Sequence, residues 1–259
     1  MYLLPLGVPV LPPASSYWRA SREPRHSLLF ALPLLLFYEV LAFALSGTEL
    51  GQVRNGADVL LKSVFVALGG RYGVTAFSVV LLGVGTWLIL RDRRIHGEIR
   101  PRIFPGMFFE SVVYALLLGG VTSALTSLLL NGRLALVAQS GAVQGMESFA
   151  LPTQLMISLG AGIYEELVFR VILVSGLAAL ARGLFKWRPL PAGVFAALAG
   201  ALIFSMFHYV GAYGDVLTLG SFTFRAIAGV LFSGLYLLRG FGVAAWTHAL
   251  YDVFLSVAR

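Results

Sequence analysis

Long runs of apolar residues, separated by short polar segments, dominate the pattern along the chain. Seven runs have close to the length of about 20 residues that an α-helix needs to cross a bilayer. They lie at 27–46, 72–90, 107–130, 153–180, 190–212, 222–238 and 240–257. An eighth run, 57–69, contains Lys62 and is too short to cross, so it predicts a re-entrant or interfacial helix. The pattern predicts an all-α fold, a polytopic bundle of seven to eight transmembrane helices.

No repeat, low-complexity tract or soluble domain interrupts this pattern, so residues 1–259 are interpreted as a single transmembrane domain. Within it we distinguish an N-terminal tail, 1–26, the N-terminal helices, 27–130, and a C-terminal part, 150–257. The start of the tail is apolar, but it is rich in proline and lacks a basic n-region. A cleaved signal peptide is therefore not expected.

The composition supports a lipid environment. Hydrophobic residues make up 58% of the chain and charged residues only 12%, against about 25% charged residues in soluble proteins. The net charge of +7 does not indicate nucleic-acid binding, because the basic residues lie between apolar runs and not on one amphipathic face. The absence of cysteine excludes disulfides, thiolate metal sites and a cysteine nucleophile.

The basic residues also predict the orientation of the helices. With a cytoplasmic N-terminus and a non-crossing 57–69 segment, 12 Lys and Arg residues lie on the cytoplasmic side and five on the other. This split follows the positive-inside rule, whereas a crossing 57–69 segment would place the arginine-rich loop 91–102 outside. Arginine outnumbers lysine 17 to 2, which is typical of a GC-rich bacterial genome. We therefore expect an integral protein of a bacterial inner membrane.

Ionisable side chains at bilayer depth cost at least about 2.5 kcal/mol each, so each one is a functional candidate. The first cluster contains Glu165, Glu166 and Arg170 in one apolar run. Glu166 and Arg170 are four residues apart and can pair, whereas Glu165 points about 100° away and is expected to have no such partner. A desolvated carboxylate suits a general base near neutral pH. The structural alternative is a buried ion pair beside one protonated glutamate.

Two further clusters each contain a histidine. Phe204 lies one turn before His208, which is expected near the middle or outer half of its helix, and Phe204 is interpreted as a lipid or core contact. His248 and Asp252 share a helix face, and such a pair can bind a metal, relay protons or polarise a carbonyl. Alternatively, His208 is only a packing residue, and Asp252 only fixes the tautomer of His248. Together the clusters can converge on one polar pocket.

In this order, the three clusters resemble the motifs of the CPBP family, the CAAX proteases and bacteriocin-processing enzymes, which are glutamic-type intramembrane endopeptidases. Each motif alone has low specificity, but the ordered set within apolar helices is fairly specific. The resemblance covers about residues 150–257, which would form a four-helix catalytic core. The motifs are Glu165-Glu166-x-x-x-Arg170, Phe204-x-x-x-His208 and His248-x-x-x-Asp252.

The resemblance implies hydrolysis of a peptide bond inside the membrane, with Glu165 and His208 activating a water molecule. It also implies that His248 and Asp252 line the oxyanion side of the site. Supporting roles in holding the geometry are implied for Glu166 and Arg170. The last motif of the family often ends in asparagine, and an ionised Asp252 cannot donate a hydrogen bond as an asparagine amide does. Asp252 would then have to be protonated, or orient His248 so that its ring donates.

No metal and no cofactor are expected. Two histidines, a glutamate and an aspartate can form a zinc site, but the spacing is not that of the His-Glu-x-x-His motif. Members of the family have been described as metalloproteases, yet a metal-free glutamate mechanism matches the motifs better. The expected partners are the lipid bilayer and a peptide or protein substrate with a hydrophobic or C-terminal membrane segment, with no nucleic acid.

Two other functions remain open from the residues. A proton-coupled transporter would also place Glu, His and Asp in the membrane, and Glu39 and Glu110 could join such a path. No inverted repeat or pair of broken helices supports it. A non-catalytic immunity or scaffold protein is the other alternative, against which the intact set of acids and histidines argues. Glu39 and Glu110 are interpreted as hydrogen-bonding groups between helices.

Overall fold

The computed structural model describes residues 17–47, 53–130, 149–211 and 214–257. The first part of the predicted tail, 1–16, lies outside these ranges. Regular structure within them is entirely helical, which confirms the predicted all-α fold. A short turn, Tyr17–Ala20, precedes eight helices. These are α1 (Pro24–Leu45), α2 (Gly56–Gly69), α3 (Gly73–His96), α4 (Phe104–Leu129), α5 (Leu151–Leu184), α6 (Pro189–Phe207), α7 (Leu219–Arg239) and α8 (Phe241–Val257).

Several of these helices have the length and apolarity that a membrane span requires. Six helical segments in the described part of the chain meet both conditions, when α2 and α3 are counted as one segment. Helix α8 is shorter, with 17 residues, at the lower end of the range of about 17–25 residues for a transmembrane helix. The protein is therefore an integral membrane protein with a polytopic helical bundle.

Helix α2 does not cross the bundle. Arg25, at the start of α1, pairs with Asp92, near the end of α3, at 2.8 Å between Nη1 and Oδ2. The chain thus crosses in α1 and returns in α3, so that α2 lies between these crossings without making one of its own. The rings of Phe65 and Phe77 are 5.4 Å apart on either side of the tight turn that joins α2 to α3. This geometry agrees with the prediction that 57–69 does not cross.

One end of the bundle, which we call the arginine-rich end, is fastened by long-range contacts. Arg22 donates to the carbonyl oxygen of Leu237 at 2.9 Å. Arg239 pairs with Glu110, and its guanidinium carbon lies 4.0 Å from the centre of the Trp18 ring. Glu110 therefore joins helices, as predicted for it, and it does so at the end where α1 starts and α7 finishes.

Helix α5 packs in the centre, against α1 and α8. A Cβ on Gly162 would lie 2.5 Å from the carbonyl oxygen of Ala245 and 2.6 Å from the Cβ of Ala249. Only glycine permits this approach. Tyr38 and Met156 complete the buried core around α5.

Two features of the helices differ from the prediction. The middle of α5, Ala161–Val174, is a π-helix, in which the amide of Ser175 donates to the carbonyl of Arg170, five residues earlier. Such wide turns are uncommon and frequently mark functional sites. In addition, α6 ends at Phe207 and does not extend to residue 212, so the predicted span 190–212 was too long.

Candidate functional site

The three predicted clusters converge on one buried site. The π-helical part of α5 supplies the first cluster, the end of α6 the second, and the middle of α8 the third. Helix α7 adds Phe232, which the sequence analysis did not identify. The contacts between clusters are Glu165 to His208, Glu166 to His248, Arg170 to Phe204 and Phe204 to His248.

Glu165 has a hydrogen-bond partner that the sequence analysis missed. The carboxylate is 8% exposed, and its Oε1 accepts a hydrogen bond from Asn55 Nδ2 at 2.8 Å. The prediction concerned partners within the helix of Glu165 alone, and Asn55 reaches Glu165 from another part of the chain. Asn55 immediately precedes α2, and its only sequence signal is an asparagine at a helix start, the usual signal of an N-cap. The other oxygen, Oε2, lies 4.0 Å from Nε2 of His208.

The hydrogen bonds of His208 assign its tautomer. Its Nδ1 lies 2.9 Å from the carbonyl oxygen of Phe204, which can only accept, so Nδ1 carries a proton. In the neutral ring, Nε2 then presents its lone pair to Glu165. His208 is the residue after the last one of α6, beyond its predicted position near the middle or outer half of the helix. This end of α6 is opposite the arginine-rich end.

Glu166 connects the first cluster to the third. Its Oε1 lies 2.7 Å from Nδ1 of His248, and its Oε2 lies 3.3 Å from Nε of Arg170. The Glu166–Arg170 pair was predicted, whereas the contact with His248 was not. Asp252 Oδ2 is 3.7 Å from His248 Nε2, which is beyond a direct hydrogen bond. Glu166, and not Asp252, therefore fixes the ring of His248.

Aromatic rings enclose the buried Arg170. Its guanidinium carbon lies 4.4 Å from the centre of the Phe204 ring and 5.4 Å from that of Phe232. None of its three nitrogens has a hydrogen-bond acceptor among the described residues, so Glu166 and the two ring faces stabilise the charge. Phe232 also stacks on His248 with centroids 4.4 Å apart. Phe204 is thus a core contact, as predicted, and one that also faces a cation.

A network of charged side chains, which we call the α2 network, lies beside the site. Lys62 Nζ lies 2.7 Å from Asp58 Oδ1 and 3.3 Å from Glu39 Oε1. The hydroxyl of Tyr38 donates to Asp58 at 2.7 Å, and that of Tyr164 to Glu39 at 2.9 Å. Glu39 joins α1, α2 and α5, in agreement with its interpretation as a group that bonds between helices.

The donor atoms do not form a metal site of the usual kind. Within the described ranges, no group of three or more His, Asp or Glu side chains is arranged to hold a metal ion. Zinc takes at least three protein ligands in ordinary structural and catalytic sites. The site instead holds two pairs of facing polar atoms. These are Glu165 Oε2 with His208 Nε2, and His248 Nε2 with Asp252 Oδ2.

A comparison with known protein families matches residues 147–254 to the family described as type II CAAX prenyl endopeptidase, Rce1-like. This range contains all three clusters but neither Asn55 nor the charged side chains of the α2 network. No curated protein and no solved structure matches the chain.

Proposed function

We propose that the protein hydrolyses peptide bonds inside the membrane by a glutamate-and-histidine mechanism. The proposal starts from the match of residues 147–254 to the Rce1-like family described as type II CAAX prenyl endopeptidase. This match confirms the resemblance to the CPBP family and supports a membrane protease in broad terms. The observation that carries the finer proposal is the 4.0 Å separation of Glu165 Oε2 and His208 Nε2. A single water molecule between these atoms can donate one hydrogen bond to each.

A water molecule bound in this way directs its lone pairs away from both acceptors, towards a substrate carbonyl. When its oxygen attacks the carbonyl carbon, one proton passes to Glu165 or His208 as general base. The protonated group then gives this proton to the leaving nitrogen as the carbon–nitrogen bond breaks. The products are a carboxyl group and an amine, and the two side chains return to their starting states.

His248 supplies the hydrogen bond to the developing oxyanion. Glu166 and Asp252 lie near opposite ring nitrogens, so both carboxylates stabilise a positive ring. With Nδ1–H directed to Glu166, Nε2–H is left to donate to the substrate oxygen, where preorganised donors contribute most to catalysis. This assignment removes the difficulty of an aspartate at position 252, because the donor is the histidine. Arg170 keeps Glu166 in place.

We propose that the substrate is a peptide or protein whose hydrophobic or C-terminal segment lies in the bilayer. One observation supports this. Apolar side chains cover the outer faces of the helices around the site, including Leu202 and Ile203 of α6 and Val230 of α7. A bilayer-embedded segment can therefore approach the site laterally, without leaving its lipid environment.

The proposal predicts that Glu165→Gln and His208→Ala leave a folded protein that has lost at least about a hundredfold in cleavage rate, since acid–base groups contribute about 10²–10⁴-fold. Mass spectrometry of membrane peptides from cells that express each variant would detect the cleaved substrate. Glu98→Gln is the matched control, because this carboxylate is 81% exposed on the loop after α3. Wild-type cleavage by Glu165→Gln would contradict the mechanism. Proton flux in liposomes without any cleavage would favour a transporter.

We further propose that the reaction needs no metal, because the donor atoms do not converge as zinc ligands do. Elemental analysis of the purified, active protein is then expected to find less than stoichiometric zinc, and chelators are expected to leave cleavage unchanged. One zinc per chain that disappears together with activity in His208→Ala would overturn this expectation.

A further inference from the structure

Asn55 directs its side-chain amide to Glu165. It is 3% exposed, and its Oδ1 accepts a hydrogen bond from the amide of Ala57 at 2.9 Å, which caps the start of α2. Because an amide N–H can bond only to the oxygen, this cap fixes the orientation of the side chain. The NH₂ group must therefore face Glu165, to which it donates at 2.8 Å.

Close packing brings the start of α2 to both halves of the Glu165–His208 pair. A Cβ on Gly56 would lie 3.3 Å from the ring of Phe207, the neighbour of His208. A Cβ on Gly160 would lie 2.7 Å from the Cβ of Asn55. The two glycines thus provide the space in which Asn55 reaches a carboxylate that is distant in sequence.

We propose that Asn55 is a positioning residue for the Glu165–His208 pair. Its amide binds Oε1 of Glu165, so that Oε2 is the oxygen that faces His208 and the attacking water. This inference rests on the proposed function. It gives the non-crossing helix α2 a role, because that helix brings a residue from outside the family-matched range into the site.

The surroundings of Glu165 support this role. The positive end of the α2 dipole lies at Asn55 and stabilises a negative charge on the carboxylate. The α2 network holds this end in place through Asp58, which is bonded to Tyr38 and Lys62. The other ionisable groups that surround Glu165 are His208, His248 and Arg170, together with Asp252 of α8.

Two variants separate the positioning role from the helix cap. Asn55→Asp and Asn55→Ser both keep an oxygen that can cap α2, but neither carries an amide N–H for Glu165. The serine hydroxyl also lies one bond closer to its own backbone than the asparagine amide nitrogen does. Both are expected to lower kcat by about tenfold or more with little change in KM, because a misplaced catalytic group costs up to about a hundredfold. In Asn55→Asp, repulsion between the two carboxylates is also expected to shift the acid limb of the pH–rate profile to higher pH.

Thr218→Ala is the matched control for the cap alone. Thr218 caps α7 through a hydrogen bond from the amide of Ser221 at 3.1 Å, so its loss is expected to lower Tm and leave the pH–rate profile in place. Rates are measured with a fluorogenic peptide. This peptide spans the cleaved bond that mass spectrometry of the membrane peptides identifies. A second readout needs no substrate. The infrared band of the Glu165 carboxylate is identified as the band that Glu165→Gln lacks. This band should shift in Asn55→Ser.

Wild-type kcat and pH profile in both Asn55 variants, together with a wild-type infrared band in Asn55→Ser, would overturn the proposal and leave Asn55 as a helix cap only. Full activity of Glu165→Gln would instead overturn the proposed function. The two failures are therefore distinguishable. If both Asn55 variants behave as the wild type while Glu165→Gln is inactive, only the positioning role is removed.

Discussion

His248 is held by partners that give its two ring nitrogens different surroundings. Nδ1 is engaged by Glu166 at 2.7 Å, while Nε2 faces Asp252 without a direct hydrogen bond at 3.7 Å. Phe232 stacks on the ring and fixes its plane. One nitrogen is therefore fixed, and the other is available to a substrate oxygen. A substitution at position 252 tests this division.

Asp252→Asn removes one of the two carboxylates that stabilise a positive His248 ring. If His248 is the oxyanion donor, the variant is expected to lose about tenfold in kcat. The alkaline limb of its pH–rate profile should move to lower pH, because the ring then loses its proton more easily. The measurement is a pH series with the same fluorogenic peptide. Unchanged or higher activity would show that the side chain at position 252 itself donates, as an amide can.

At the scale of residues, spacing along one helix was enough to predict some contacts but not others. The Glu166–Arg170 pair follows from its four-residue separation. The partner of Glu165 could not be found in this way, because Asn55 is 110 positions away and on another helix. For the same reason, the spacing of His248 and Asp252 suggested that they pair, whereas Glu166 is the closer partner.

Among the helices, α5 determines which neighbouring helices the carboxylates of Glu165 and Glu166 face. Its π-helical turns direct Glu165 towards α2 and α6, and Glu166 towards α8. The apolar pattern predicted the existence of this helix but not its winding, because the runs do not distinguish a π-helix from an α-helix. Gly162, in the first turn of this winding, lies against the backbone of α8.

Two glycines of α5 provide a matched test of this packing. Gly162→Ala is expected to destabilise the protein by about 1–3 kcal/mol, because the added methyl group meets the backbone of α8. At Gly176 no atom lies within 4 Å of an added Cβ, so Gly176→Ala is expected to stabilise it by about 0.5–1 kcal/mol. Unfolding in detergent, followed by circular dichroism, compares the variants. Equal effects would contradict close packing at Gly162.

Apolar runs also predicted the helix ends only in part. Helix α3 continues to His96, past the predicted end at residue 90, because helical hydrogen bonding continues into a charged segment. Helix α6 stops at Phe207 although apolar residues follow. The hydropathy of a segment reflects whether lipid or water surrounds it. The end of a helix depends instead on the hydrogen-bond partners of its backbone groups. The 14-residue α2 was predicted well, because a polar loop and glycines bound it on both sides.

Over the whole molecule, the arginine-rich end and the Glu165–His208 pair lie at opposite ends of the described helices. The contacts of Arg22, Arg25 and Arg239 gather the starts of α1 and α4 with the ends of α3 and α7. His208 is at the other end of the bundle, where α6 finishes. Under the positive-inside rule, we expect the arginine-rich end to be cytoplasmic. Arg133 and Arg259, two of the five basic residues assigned to the opposite side, lie outside the described residues.

This orientation predicts which loops a reagent in the external medium can reach. The chain has no cysteine, so a single introduced thiol reports its own location. Val216→Cys, at a position 79% exposed between α6 and α7, is expected to react with a membrane-impermeant maleimide in cells whose inner membrane is intact but accessible. Glu98→Cys, at the arginine-rich end, should react only after that membrane is opened. The reverse pattern would place the site near the cytoplasmic face, and bilayer-anchored substrate tails would then reach it from inside the cell.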